Sequence, residues 1–108
     1  MANNFKNNFQ TGIGLTATTV YTSGAGTQAT VIGMTVSNTK DTDIRANVIV
    51  NSSGTDYFLV KSALIEPGSA LVPVGGDQKL VLEASDFLRV QSDTASSIDV
   101  IVSVLEIT

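Results

Sequence analysis

From Gly14 to the C-terminus, runs of Val, Ile and Thr alternate apolar with less apolar residues, and clusters of Gly, Ser, Asn, Asp and Pro break them. A period of two places alternate side chains on opposite faces of a strand. No window carries apolar residues at the 3.6-residue spacing of an amphipathic helix. That restricts the chain to an all-β fold. Segments 15–21, 30–38, 44–50, 57–64, 70–74, 79–83, 87–91 and 98–107 read as strands. About eight short strands separated by turns point to a single antiparallel β-sandwich, jelly-roll or Ig-like. A chain of 108 residues forms one such domain, assigned here to 13–108, with residues 1–12 as an N-terminal arm.

Several faces can be assigned. Ile32, Met34 and Val36 are expected on one side of their strand, and Gly33 between them suggests a bulge. Ile44, Ala46, Val48 and Val50 oppose Arg45, Asn47 and Ile49. Phe58 and Val60 are expected on the core face with Lys61 outward. Residues 98–107 are apolar on both faces through the middle, as in a central strand covered on both sides or one whose outer face meets another subunit.

Residues 67–83 contain both prolines. Glu66-Pro67-Gly68-Ser69 has the proline and glycine positions of a type II turn. Pro73 lacks an N–H, so its strand belongs at an edge or at a bulge. The glycines at 75 and 76 turn the chain again, before a short strand with Leu80 and Leu82 inward.

The chain has no histidine and no cysteine. A Ser-His-Asp or Cys-His site, a disulfide framework and a zinc finger therefore cannot be built within it. No cofactor is expected. Asp41 and Asp43 have a spacing seen in calcium loops, but Ile44 and Arg45 follow where further oxygen ligands belong. Glu83 and Asp86 flank a turn, which suits capping by Asp86 better than acid–base chemistry. The run 75–79 lacks the Lys-Ser/Thr ending and the following helix of a phosphate loop. The net charge of −4, with no basic run, argues against nucleic acid as a partner. The N-terminus has no apolar stretch of the kind found in signal peptides, and no run is long enough for a membrane helix.

Charged residues make up 15% of the chain, against about 25% in typical domains. A lightly charged surface suits large contact areas, so a homo-oligomer is expected. The candidate interface residues are Phe5 and Phe9 on the arm, Leu71 and Pro73 on the proline-bearing strand, and Ile101 and Leu105 on the last strand. For the two phenylalanines, anchoring on a neighbouring subunit and folding back onto the domain's own core both remain open.

Four parts of the sequence carry a resemblance: F-K-N at 5–7, I-G-L-T-A-T-T-V-Y-T at 13–22, A-T-V-I-G-M-T-V-S-N at 29–38, and the run from 67 to 83 together with the terminal S-V-L-E-I-T. With these the chain resembles a family of small structural proteins of tailed bacteriophages, notably those of cyanobacteria and other marine bacteria. The resemblance implies a non-enzymatic virion protein, assembled in the host cytoplasm, that decorates or cements the capsid or sits at the neck or tail. Its partners would be major capsid, neck or tail proteins. It supplies no catalytic residues. A receptor- or glycan-binding module of a phage fibre is the alternative, with Asp56 and Tyr57 as probes, although the chain has no tryptophan for sugar stacking.

Overall fold

A computed structural model describes residues 3–75 and 79–108. The strands in chain order are β1 (Asn3–Ile13), β2 (Thr18–Thr22), β3 (Gln28–Asn38), β4 (Ile44–Ser52), β5 (Thr55–Ile65), β6 (Ala70–Val74), β7 (Leu80–Leu82), β8 (Phe87–Ser92) and β9 (Ile98–Ile107). One sheet runs β1-β9-β3-β6, with β7 also pairing β3; the other runs β2-β8-β4-β5. All pairings are antiparallel. β6 pairs the Met34–Ser37 part of β3 and β7 its Ala29–Val31 part, so together they fill one strand position. Counted that way, two four-strand layers remain, and the chain changes sheet at every connection except β4 to β5. This is the double Greek-key wiring of a jelly roll.

Of the segment assigned as an arm, the described residues 3–12 belong to a strand instead. β1 pairs β9 without a break in register from Asn3↔Ile107 to Gln10↔Val100. Its asparagines are poor strand formers, but β9 beside it supplies a long, regular edge on which to pair. β9 lies between β1 and β3, central as expected for residues 98–107, but it is covered on the core side only: on its outer face Ile101 is exposed.

The core lies between the sheets. Met34, Val36, Ile44, Val48, Leu82, Leu88, Val90, Ile98, Val100 and Val102 are all buried within it. β-branched side chains dominate because they pack well on a pleated surface. Ser69 N donates to Glu66 O at 3.0 Å and Gly68 has φ +74°, which is the type II turn anticipated there. Ser53 and Gly54, both with positive φ, close the β4–β5 hairpin in the two-residue geometry that matches strand twist. β6 lies at a sheet edge, and its register shifts between the partners of Met34 and Val36, so Pro73 sits where no ladder is broken. The turn expected at 75–77 falls on positions 76 and 77, which lie outside the described residues.

Bulges change two of the expected faces. The β3–β9 register shifts between Val31 and Gly33. Val31 and Ala29 therefore point into the core, while Ile32 is only half-buried. On β5, Ser62 has φ +55° and the β4–β5 register shifts on both sides of Val48. Phe58, expected in the core, is half exposed, with the Lys61 ammonium 5.1 Å from its ring centre. Leu59 and Val60 pack against the core from this strand.

Candidate interaction surface

β1 has an inverted pattern. Its core-side residues are polar and its solvent-side residues are aromatic. Lys6, Asn8 and Gln10 pair with Val104, Val102 and Val100, whose side chains lie in the core, so these three residues share that side. Lys6 Nζ meets Glu106 Oε1 at 3.1 Å, and Asn8 Nδ2 donates to Val20 O at 3.3 Å. Phe5 and Phe9 take the opposite side and are 75% and 69% exposed. They do not fold back onto the core.

Register brings four of the six candidate residues together. Phe5 lies opposite Leu105, and Phe9 opposite Ile101. Ile101 is 46% exposed and Leu105 half-buried. Rows continue across the sheet as Phe5–Leu105–Thr30–Val81, Asn7–Ser103–Gly33 and Phe9–Ile101–Thr35. Polar groups in the stripe satisfy one another. Ser103 Oγ donates to Asn7 Oδ1 at 2.7 Å, and Thr11 Oγ1 donates to Asp99 Oδ1 at 2.6 Å. Shallow hollows flank it, one lined by Phe5, Lys6 and Ile32, another by Phe9, Thr11 and Ile101.

Leu71 and Pro73 lie apart from this stripe, on β6. Leu71 packs against the core, and the exposed apolar side chain of that edge is Val72. Val72, Val81 and Ile32 are surface residues that sequence reasoning missed. Only the bulges in β3 and β6 turn Ile32 and Val72 outward, and strand register alone places Val81 beside Thr30.

An electrostatic tie fixes β1 to the opposite sheet. Tyr21 Oη of β2 donates to Glu106 Oε2 of β9, and Lys6 of β1 pairs with the other carboxylate oxygen. The hydrogen bond from Tyr21, and then Lys6, hold the Glu106 carboxyl below its ordinary value of 4.5. Burial, and then the bond to Glu106 and its charge, push the Tyr21 hydroxyl far above its ordinary value of 10.0. A lowered carboxyl contributes stability above its unfolded pKa and loses it as pH falls through the folded value. A raised phenol contributes stability below its unfolded pKa and loses it as pH rises past it. The melting temperature should therefore hold across neutral pH, then drop below about pH 4.5 and above about pH 10. Tyr21→Phe should melt lower at neutral pH and show a shallower acid drop. Thermal scans from pH 3 to 11 check this; an unchanged acid limb in Tyr21→Phe would refute the coupling.

On the other sheet, Asp56 lies within β5. It accepts from Asn51 Nδ2 at 2.6 Å and pairs with Arg89, and these bonds lower its pKa. Arg89 also lies over the Phe87 ring, 5.7 Å from its centre. Tyr57 beside it is exposed. Asp86 is buried and accepts from Glu83 N at 3.0 Å through Oδ2, the capping role expected of it. Among the described residues, no three His, Cys, Asp or Glu side chains are placed to hold a metal ion. No helix among them is long and apolar enough to cross a membrane.

No protein-family model matches the chain, and no curated protein matches its sequence. Among solved structures, it is similar to a chain from Bacillus endospore appendages, which are described as a novel family of disulfide-linked pili. The TM-score is 0.59 at 14% sequence identity, over 99% of this chain and 87% of that one. At this identity the likeness is one of fold.

Proposed function

We propose that the chain is a non-enzymatic structural protein that acts by binding alone, as a bacteriophage virion component that decorates or cements the capsid or serves at the neck or tail. One observation carries the binding role: β1 turns its aromatics to the solvent face of the sheet and leaves polar residues on the core side. A monomer gains nothing from exposing Phe5 and Phe9 beside Ile101, whereas a partner covering them removes apolar surface from water. The virion setting rests on the sequence resemblance. The lack of histidine and cysteine removes the imidazole general base and the thiolate nucleophile, which favours a binding role. Peptide mass spectrometry of gradient-purified particles tests the proposal. A stoichiometric copy number is expected; absence or trace amounts would sink it.

The fold likeness favours a second reading, a subunit of a filament. Such a filament would differ from the disulfide-linked pili in one respect, since this chain has no cysteine and its contacts would be non-covalent. Filaments formed by the purified protein alone, seen by negative-stain microscopy, would select this reading over the first.

A further inference from the structure

We propose that two copies of the chain pair through β1, antiparallel about a two-fold axis at Asn7, so that one sheet continues across the dimer. β1 is a free edge, and its pairing with β9 is regular over Asn3 to Gln10. An open edge of that length is a template for another strand. The remaining edges are short or broken. β6 carries Pro73 and a register shift, β2 has five residues with a shift after Thr19, and β5 bends at Ser62.

The sequence of β1 names the occupant. It reads Asn4-Phe5-Lys6-Asn7-Asn8-Phe9-Gln10, nearly symmetric about Asn7. Antiparallel pairing centred there sets Phe5 opposite Phe9 of the second copy, twice over, with Asn7 opposite Asn7. Aromatic pairs directly opposite one another stabilise a sheet. On the other face Lys6 meets Asn8 of the second copy, and Asn4 meets Gln10. No like charges oppose each other, and each Lys6 is already paired with its own Glu106. The apolar stripe of Phe5, Leu105, Phe9 and Ile101 becomes continuous across the junction. Such an isologous contact closes on itself and gives a dimer.

The pairing gives the binding-only reading a first partner, a second copy, and is tested without any particle. Sedimentation of the full-length protein should show a dimer. Asn7→Cys, a lone cysteine at the two-fold axis, falls within disulfide reach of its counterpart. On mild oxidation it should cross-link at least about tenfold faster than the control Thr55→Cys on the exposed start of β5. The double variant Phe5→Lys/Phe9→Lys places Lys opposite Lys and should lose the dimer. Phe5→Lys/Phe9→Glu places Lys opposite Glu in this register and should keep it. Circular dichroism verifies that each variant is folded, and the cysteine pair tests the register with both aromatics intact. A monomer at all concentrations would overturn the proposal. So would cross-linking of Asn7→Cys no faster than the control, or loss of the dimer in the Lys/Glu variant but not in the Lys/Lys one. The dimer result stands apart from the particle test, because absence from virions would leave it intact.

Discussion

Leu88→Ala is expected to lower the unfolding free energy by about 3 kcal/mol, while Phe9→Ala leaves it within about 0.5 kcal/mol. The contrast follows from where the two side chains point. Leu88 is fully buried on β8, an inner strand of its sheet, between Tyr21 of β2 and Val50 of β4. Truncation removes its transfer free energy and leaves a cavity between two sheets that cannot close fully around it. Phe9 is the larger side chain, yet it is mostly exposed, so truncation gives up little burial within one copy. A domain of this size has a total stability of about 5–15 kcal/mol. A loss of about 3 kcal/mol should then lower the melting temperature by roughly 10 °C or more. The measurement is urea unfolding of both variants at a dilution where association is absent. A Phe9→Ala cost equal to that of Leu88→Ala would mean that the ring packs within its own subunit.

The same contrast shows what alternation in a sequence does and does not reveal. On β4 the pattern Ile44, Ala46, Val48 against Arg45 and Asn47 is realised, because period two maps directly onto the two faces of an unbroken strand. Gly68 and Pro73 fall where their backbone chemistry puts them, at a turn and at a bulged edge. The failures lie beyond inserted residues. A one-residue slip moves every following side chain to the other face. Gly33 signalled a bulge, but not which side of it keeps phase, and so Val31 rather than Ile32 reaches the core. Neither bulge on β5, at Ser62 or at Leu59, carries a comparable signal, and the one at Leu59 puts Phe58 on the outer face while Val60 stays on the core side. β1 was hidden for a different reason, since its strand character comes from β9 and not from its own composition. The interaction surface was half visible. Phe5 and Phe9 stand out on a polar segment, but only the pairing register sets Leu105 and Ile101 opposite them.

Asn38→Ala should cost about 3 kcal/mol, as much as a core leucine, although the residue is polar and lies at a strand end. Asn38 is 5% exposed. Its Nδ2 donates to Thr42 O at 2.8 Å and to Ile65 O at 3.0 Å, and its Oδ1 accepts from Lys40 N at 2.8 Å. One amide therefore ties the end of β3, the 39–43 turn and the end of β5. Its own backbone N–H donates to Ser69 O at 3.1 Å, which brings in the turn after Pro67. Truncation leaves backbone groups at a buried site without partners, and that desolvation penalty outweighs the modest net gain of an ordinary hydrogen bond. Asn38→Asp separates hydrogen bonding from packing. It keeps the volume and the acceptor for Lys40, but turns a carboxylate oxygen toward two carbonyls. Facing acceptors in a buried site, that carboxyl has a raised pKa, so its share of stability is present at acid pH and is lost as pH rises through the folded value. Asn38→Asp should be at least as unstable as Asn38→Ala at pH 7, and should regain part of the difference from wild type near pH 4. Unfolding curves for both variants at the two pH values decide the matter. Equal stability of Asn38→Ala and wild type would mean that the three contacts contribute nothing beyond what water supplies.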